Sequence, residues 1–379
     1  MMKVLHLADT HLGYNAYRKV NKQGINQREQ DTYEAFQHII DFAVKEQPDV
    51  VIHAGDLFDS VRPTNRAISC ALHQILRLSK KKIPFVIVDG NHEHPKLSET
   101  GHIFKIFNHL DHVYPVYQHT FEKIQIEKNK EHLCIHAVPQ CTSKESFEQV
   151  FQSISPDPDA TYNILVAHGS VKGIKALSMN EFNELYIPSS ALHDKYSYVA
   201  LGHYHTYTKV QKNVVYAGSP ERFSFTDADQ HKGFVEINLK DKITHTFHPL
   251  SLRTMVDATP IHCSGKSVDA ITNEIKKTIQ NIQPDKKIIR LKLQNIPAAT
   301  YRGLDIKDIK DLCKHSIHFE LKPQLHEEAL DSVRESTKIG ALINEFDAFL
   351  ITQQIEEKTA IKKLGHQYLE TIHTTHEES

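Results

Sequence analysis

KVLHLADTHLG, residues 3–13, decides how the chain is read. Its first six residues form a short apolar run of the kind that is buried as a strand, and the run breaks directly into Asp9 and His11. A carboxylate and an imidazole at the carboxyl end of a strand stand where open α/β sheets bind ligands. The pattern recurs four times. DVVIHA (49–54) runs into Gly55-Asp56-x-x-Asp59, and PFVIVD (84–89) into Gly90-Asn91-His92-Glu93. YNILVA (162–167) runs into His168-Gly169, and YSYVAL (196–201) into Gly202-His203-x-His205. The chain has 27 histidines, so a single D-x-H or H-x-H arises by chance. Chance does not place five such motifs at strand ends. Gly55, Gly90 and Gly202 are expected to permit sharp turns just before a ligand.

Segments of helical period lie between the first strands. Tyr33, Phe36, Ile39, Ile40 and Ala43 share one face of 28–46, and Asn26 with Glu29 has the form of a capping box with Asn in the Ser/Thr position. In 65–81, Ile68, Leu72, Ile75 and Leu76 share another face. Strands alternating with helices predict an α/β fold with βαβ units and a mainly parallel sheet covered on both faces. Residues 132–137 and 214–217 add strands, and 233–239 with 243–248 read as a closing hairpin. A first domain is therefore expected at 1–250. A small α+β domain is expected at 254–325, with a strand at 287–294 between helices at 266–282 and 305–314. After Pro323 the chain is expected to turn helical, and in 330–379 Ile339, Leu342, Ile343, Phe346, Phe349 and Leu350 recur at helical spacing.

The ligand types constrain the chemistry. Carboxylates alone suit Mg²⁺, whereas imidazole with carboxylate suits Mn, Fe or Zn. The candidates Asp9, His11, Asp56, Asn91, His168, His203 and His205 are too many for one ion and can hold two if one carboxylate bridges. Two metals ~3.5–4 Å apart can grip a phosphate and promote an in-line displacement at it.

In this order the motifs resemble those of the calcineurin-like metallophosphoesterase superfamily. LADTHLG, AGDLFD, GNHE, AHG, LGHYH and AGSPERFSF are similar, more closely, to SbcD-type DNA double-strand-break repair nucleases. The resemblance covers residues 1–250 and extends more loosely, by domain order and length, to the end. It implies a β-sandwich flanked by helices, a small α+β capping domain and a helical C-terminal tail. It implies two Mn²⁺ ions, with Mg²⁺, Fe²⁺ or Zn²⁺ as alternatives. One would be held by Asp9, His11, Asp56 and His205, the other by Asp56, Asn91, His168 and His203, with Asp56 bridging. His92 would stay off the metals, stabilise the charged transition state and help protonate the leaving oxygen. The implied activity is an exo- or endonuclease acting on DNA ends within a repair complex, in the cytoplasm at the nucleoid. The implied partners are an SbcC-type ATPase, docked on the helical tail over 335–365, and a second copy of the chain, for which the helices near 65–110 are the expected surface. Some relatives carry a histidine at the position of Asp59 that assists nuclease activity; here Asp59 is expected to hydrogen-bond a ligating imidazole.

Composition bounds the rest. Hydrophobic content is 40% and charged content 24%, as in ordinary globular proteins. No run approaches the ~20 apolar residues of a membrane-spanning helix, and the start, interrupted by Asp9 and His11, does not read as a signal peptide. Cys70, Cys134, Cys141, Cys263 and Cys313 include no C-x-x-C and read as inert thiols in a reducing compartment. A net charge of −2 excludes a generally basic nucleic-acid binder, so DNA must be met by local patches. Arg18, Lys19, Lys22, Arg62 and Arg66 follow the first two ligand-bearing strands and are the backbone-contact candidates. His6, His53 and His136 are expected to be structural, and Lys80 to Lys82 to complement a helix C-terminus. The same metals could serve a phosphatase or a small-molecule phosphodiesterase. Phosphatases of the superfamily carry Arg after the second Asp of G-D-x-x-D, where this chain has Ser60, and they have no use for a capping domain and tail. A non-catalytic scaffold would have no need of an intact site.

Overall fold

The computed structural model describes residues 1–171, 185–192, 194–326, 346–347, 349–350 and 358–366. Two compact units emerge. One is Met1–Val256 with Lys286–Ile288; the other comprises Asp257–Asp285 and the described residues from Ile289 onward.

The strands of the first unit are β1 (Met2–Leu7), β2 (Val50–Ala54), β3 (Phe85–Val88), β4 (Val113–Val116), β5 (Glu122–Lys128), β6 (Glu131–Val138), β7 (Tyr162–His168), β8 (Ser170–Val171), β9 (Tyr186–Ile187), β10 (Tyr198–Gly202), β11 (Thr208–Lys209), β12 (Val214–Tyr216), β13 (Gly233–Leu239) and β14 (Thr244–Pro249). Its helices are α1 (Gln27–Glu46), α2 (Asn65–Lys80) and α3 (Lys144–Ser153). Twelve of these strands build two six-stranded sheets, ordered β14-β13-β1-β2-β3-β4 and β11-β12-β10-β7-β6-β5, and β8 pairs with β9. The first is parallel from β1 to β4 and antiparallel through β13 and β14. The second is parallel through β12, β10, β7 and β6, with antiparallel edges at β11 and β5.

Strand alternation assigns each side chain to a layer. Val4, Val50, Ile52, Val86 and Val88 pack with Ile135, Ile164, Val166 and Ala200 between the sheets. Their neighbours Leu5, Leu7, Val51, Phe85 and Ile87 pack outward against Phe36 and Ile40 of α1 and Ala71 and Ile75 of α2. Leu165, Val199 and Leu201 pack on the other outside against Phe147 and Phe151 of α3. The result is a helix–sheet–sheet–helix sandwich, the architecture the resemblance implies. The single sheet expected from strand and helix order is corrected to two. Every residue of β2, β3 and β7 is buried, and a strand buried on both faces has the same apolar sequence whether its second face meets a helix or another sheet.

Asn26 caps α1 by accepting the N–H groups of Arg28 (2.8 Å) and Glu29 (3.4 Å). The reciprocal half of the expected capping box is replaced. The Glu29 carboxylate instead takes the Arg66 fork at 3.0 and 3.1 Å and the Tyr33 hydroxyl at 2.7 Å, a stronger charge-assisted arrangement. Arg66 is thus engaged by Glu29, whereas Arg18, Lys19, Lys22 and Arg62 are exposed. The structural histidines are paired: His6 Nδ1 with Tyr198 Oη at 3.1 Å, His53 Nε2 with Thr10 Oγ1 at 2.7 Å, and His136 Nε2 with Asn163 Oδ1 at 2.9 Å. Burial pulls His6 and His53 down to about 3, so both are neutral.

The remaining elements are β15 (Met255–Asp257), β16 (Ile261–His262), α4 (Val268–Ile282), β17 (Ile288–Ile296), α5 (Ala298–Arg302), α6 (Ile306–Leu312) and β18 (His318–Leu325), all in the second unit except Met255, Val256 and Ile288. β17 is central, flanked by β15, β16 and β18. Pro323, expected to precede a helix, lies within β18, which among the described residues pairs only with β17, and an edge strand tolerates a missing N–H. In the tail, residues 346–347, 349–350 and 358–366 are helical; Ile339, Leu342 and Ile343 lie outside the described residues. All five cysteines are free. Among the described residues no helix is long and apolar enough to cross a membrane.

Candidate metal centre

Four of the candidate ligands sit on backbone that L-residues rarely adopt: Asp9 (φ 54°), His11 (φ 48°), Asp56 (φ 56°) and His203 (φ 103°). Such conformations cost on the order of 1–3 kcal/mol each and collect at functional sites. The loops after β1 and β2 hold one another through Asp9 N–H to Gly55 O and His11 N–H to Asp56 O, both 3.0 Å. Gly55 supplies the expected turn, with φ 93°. Gly90 and Gly202 do not have positive φ; they are needed for space. A Cβ on Gly90 would overlap the Asp56 carboxylate, and one on Gly202 would overlap the Ala54 carbonyl.

These turns bring all seven candidate ligands and His92 together. The Asp56 Oδ2 atom lies 3.3 Å from His168 Nε2 and 3.7 Å from His11 Nε2, between two groups of ligands. On one side His11 Nε2 meets His205 Nε2 at 3.2 Å, and ligand atoms of Asp9, His11 and His205 cluster. On the other, Asn91 Oδ1 lies 3.0 Å from His168 Nε2 and 3.2 Å from His203 Nδ1. Asp9 accepts the His203 N–H at 2.8 Å through Oδ1, while its buried Oδ2 has no hydrogen-bond partner. His168 Nδ1 lies 2.9 Å from the Ala54 carbonyl, which can only accept, so Nδ1 carries the proton. In the neutral ring, His168 Nε2 then presents a lone pair to the oxygens of Asn91 and Asp56. Three acceptors converging in this way, beside an orphaned carboxylate oxygen, fit a cation, whether a metal or the Nε2 proton that a metal replaces.

The electrostatics agree. Burial holds the Asp9 carboxyl up at about 6, with the neighbouring Asp56 charge adding to the shift. Burial also opposes charge on Asp56, but His168 and His11 outweigh it and hold Asp56 well below the usual carboxylate range. Burial opposes charge on His168, but Asp56 and Asp9 outweigh it and push the ring up to about 10, so a metal ligated there takes the place of the Nε2 proton. Burial and the neighbouring His11 hold His205 well below its ordinary value. Positive charge is favoured between the carboxylates, and the imidazole away from them stays neutral, as a metal ligand must.

His92 stands at the rim. Its N–H donates to Asp56 Oδ1 at 3.0 Å, and its Nδ1–H to the Asp59 carbonyl at 3.1 Å, leaving Nε2 for a substrate. The Asp59 carboxylate lies 3.4 Å from His11 Nδ1, within ion-pair reach, but the buried Nδ1 has no hydrogen-bond partner, so the expected hydrogen bond is not formed.

Several supporting residues had no role assigned from the sequence, although Glu93 and Phe223 lie in motifs that carry the resemblance. Glu93, within the GNHE motif, is buried and accepts the N–H groups of Gly90 (3.0 Å) and Leu57 (3.3 Å), tying two ligand loops together. Gln140 holds the His168 carbonyl at 3.1 Å. Phe223 lies edge-on to His11 and His205, with ring centroids 4.9 and 5.3 Å apart. Its loop is seated by the fully buried Arg28, which donates to the Arg222 carbonyl and pairs with Asp31 at 2.6 Å. Arg253 grips the same Asp31 at 2.7 and 2.8 Å. The Lys232 ammonium is likewise buried and donates to the His205 carbonyl at 2.7 Å and to Asp227 and Gln230 at 2.9 Å. Lys232→Met leaves Asp227 without its cation and is expected to cost about 3–5 kcal/mol, the scale for breaking a buried pair. Urea unfolding checks this, and an unchanged midpoint contradicts it.

Residues 2–207 match the family profile described as calcineurin-like phosphoesterase. The chain is 30% identical over 305 residues to the DNA double-strand break repair protein Mre11 of Methanococcus maripaludis, covering 76% of each chain. It is 33% identical over 291 residues to the protein of that name from Saccharolobus solfataricus, covering 75% of this chain and 70% of the relative. The Sulfurisphaera tokodaii protein of that name is 32% identical over 227 residues, 58% of this chain and 54% of the relative.

Proposed function

The chain belongs to the calcineurin-like phosphoesterases, in the group of Mre11 and SbcD-type DNA double-strand break repair nucleases, and from that premise we propose a Mn²⁺-dependent nuclease that cuts DNA at a two-metal site. It is a metal-dependent phosphodiester hydrolase. The observation that carries the reading is the convergence of the His168 Nε2 lone pair, Asn91 Oδ1 and Asp56 Oδ2, with Asp56 Oδ2 also turned toward His11.

In this reading Asp9, His11, Asp56 and His205 hold one ion. Asp56, Asn91, His168 and His203 hold the other. When bound, such a pair polarises a phosphodiester and lowers the pKa of attacking water. The protein does the rest. The strained loops fix the ligands before substrate arrives, so little reorganisation remains. The Asp59 carbonyl and Asp56 carboxylate fix the His92 ring with Nε2 outward, where, as the imidazolium, it can hydrogen-bond a phosphate oxygen and pass its Nε2 proton to the departing one. Phe223 and Lys232 keep His205 from swinging away. The α+β unit serves as the capping domain, the tail docks an SbcC-type ATPase, and a second copy joins through the helices near 65–110. The protein works in the cytoplasm, at the nucleoid, on DNA ends with little sequence preference.

Purified protein is expected to degrade linear duplex DNA with Mn²⁺, to stop in EDTA, and to turn over a phosphomonoester dye poorly. Rapid dye turnover with intact DNA would support the phosphatase alternative.

A further inference from the structure

A cavity of about 540 Å³ opens beside the metal centre, with Asn91, His94, Lys96, Gln140, Ser143 and Lys144 on its wall. Asn91 belongs to the candidate ligand set and Gln140 holds the His168 carbonyl, so the cavity is continuous with the centre. Its size falls in the range of small-ligand pockets and exceeds what one phosphate group needs. Two lysines and the first turn of α3, whose N-cap is Ser143, give it positive potential, against one acidic residue on the wall, Glu145.

A second observation points to a ligand. His94 is about nine-tenths buried, lines the cavity, and has an Nε2 without a hydrogen-bond partner. Its Nδ1 lies 2.7 Å from Asp89 Oδ2. Asp89, His94 and His102 are close enough to invite a third metal, but the hydrogen bonds exclude one there. His102 Nδ1 accepts the Phe104 N–H at 3.1 Å, so its Nε2 carries the proton and donates to Asp89 at 3.0 Å. The carboxylate is saturated by donors, its other oxygen taking the Gln140 N–H at 2.8 Å. The group is an imidazole held rigidly on a carboxylate, with one ring nitrogen to spare.

We propose that this cavity is a nucleotide subsite. It holds the nucleotide next to the scissile linkage, seats that nucleotide's phosphate on Lys96 and Lys144, and offers the His94 Nε2 lone pair to an N–H or O–H of the same nucleotide. The inference rests on the nuclease reading and adds to it a binding role for residues outside the metal centre. A strand gripped at the metals must continue past Asn91, and this cavity is where the wall recedes with charge of the right sign.

The test uses the full chain and a short oligonucleotide carrying a neutral methylphosphonate in place of the phosphate one linkage from the cut, on either side in separate substrates. One of these is expected to lower wild-type kcat/KM by about tenfold, the scale of one lost charge-assisted contact. The doubly substituted Lys96→Gln, Lys144→Gln protein is expected to cut the charged and neutral substrates alike. Both lysines are exposed, so the fold survives. Equal losses in the two proteins, or no loss in the wild type, overturn the subsite while leaving a DNA-cutting enzyme. A wild-type protein that cuts no DNA overturns the nuclease reading, and the subsite with it.

Discussion

Asp56→Ala is expected to abolish binding of both metal ions and to lower DNA cleavage on the order of 10³-fold or more. The expectation follows from where the carboxylate sits. Its Oδ2 is the atom shared by the His11 and His168 sides, and its Oδ1 holds the His92 N–H. Loss of an ordinary ligand would weaken one ion, whereas loss of this one removes an anion from both. The metal contribution to stability separates this from simple misfolding. The wild type should gain about 2.7 kcal/mol of stability for each bound ion at a metal concentration a hundredfold above Kd. The variant should gain nothing while remaining folded. Metal analysis after gel filtration, with thermal melts at several Mn²⁺ concentrations, checks both. A variant that retains one tightly bound ion contradicts the bridging role.

His92→Ala is expected to do the opposite to the metals and nearly the same to the rate. Metal content stays at the wild-type level, and kcat falls about 10²–10⁴-fold, the range for losing a positioned proton donor. The ring is anchored by groups other than metals. Its Nδ1–H goes to the Asp59 carbonyl, and only its backbone N–H meets Asp56, a bond that alanine keeps. KM for DNA should change much less than kcat, because the interaction strengthens in the transition state. Metal content at the apo level would show that His92 is a ligand, and an unchanged kcat would remove it from the chemistry.

The ligands and the fold were not equally legible in the sequence. Ligand candidates could be read because each lies directly after a buried strand. KVLHLA ahead of Asp9 and YNILVA ahead of His168 reveal their own burial, and the chain cannot turn sooner than the strand ends. The division into two sheets could not be read from the strand pattern and came only with the family resemblance. Val4 and Leu5 are equally apolar, yet one packs against the second sheet and the other against helices. The supports were hidden for a different reason. Lys232 looks like any surface lysine until it is seen to hold the His205 carbonyl, and Gln140, Arg28 and Glu93 act on partners fixed only by the fold. Asp89, His94 and His102 were invisible as a group because thirteen residues separate the carboxylate from the second imidazole. The glycine roles were half legible. A positive φ is an expected use of Gly55, but the need for bare space at Gly90 depends on Asp56, 34 residues earlier.

The central claim is that one carboxylate joins two ions. Electron paramagnetic resonance of the full-length protein titrated with Mn²⁺ tests it most directly, with bound metal counted on the same samples. Two ions per chain with a spin-coupled spectrum, both lost in Asp56→Ala, is the predicted result. A single ion per chain showing the spectrum of isolated Mn²⁺ in a sample that cuts DNA at full rate would contradict it.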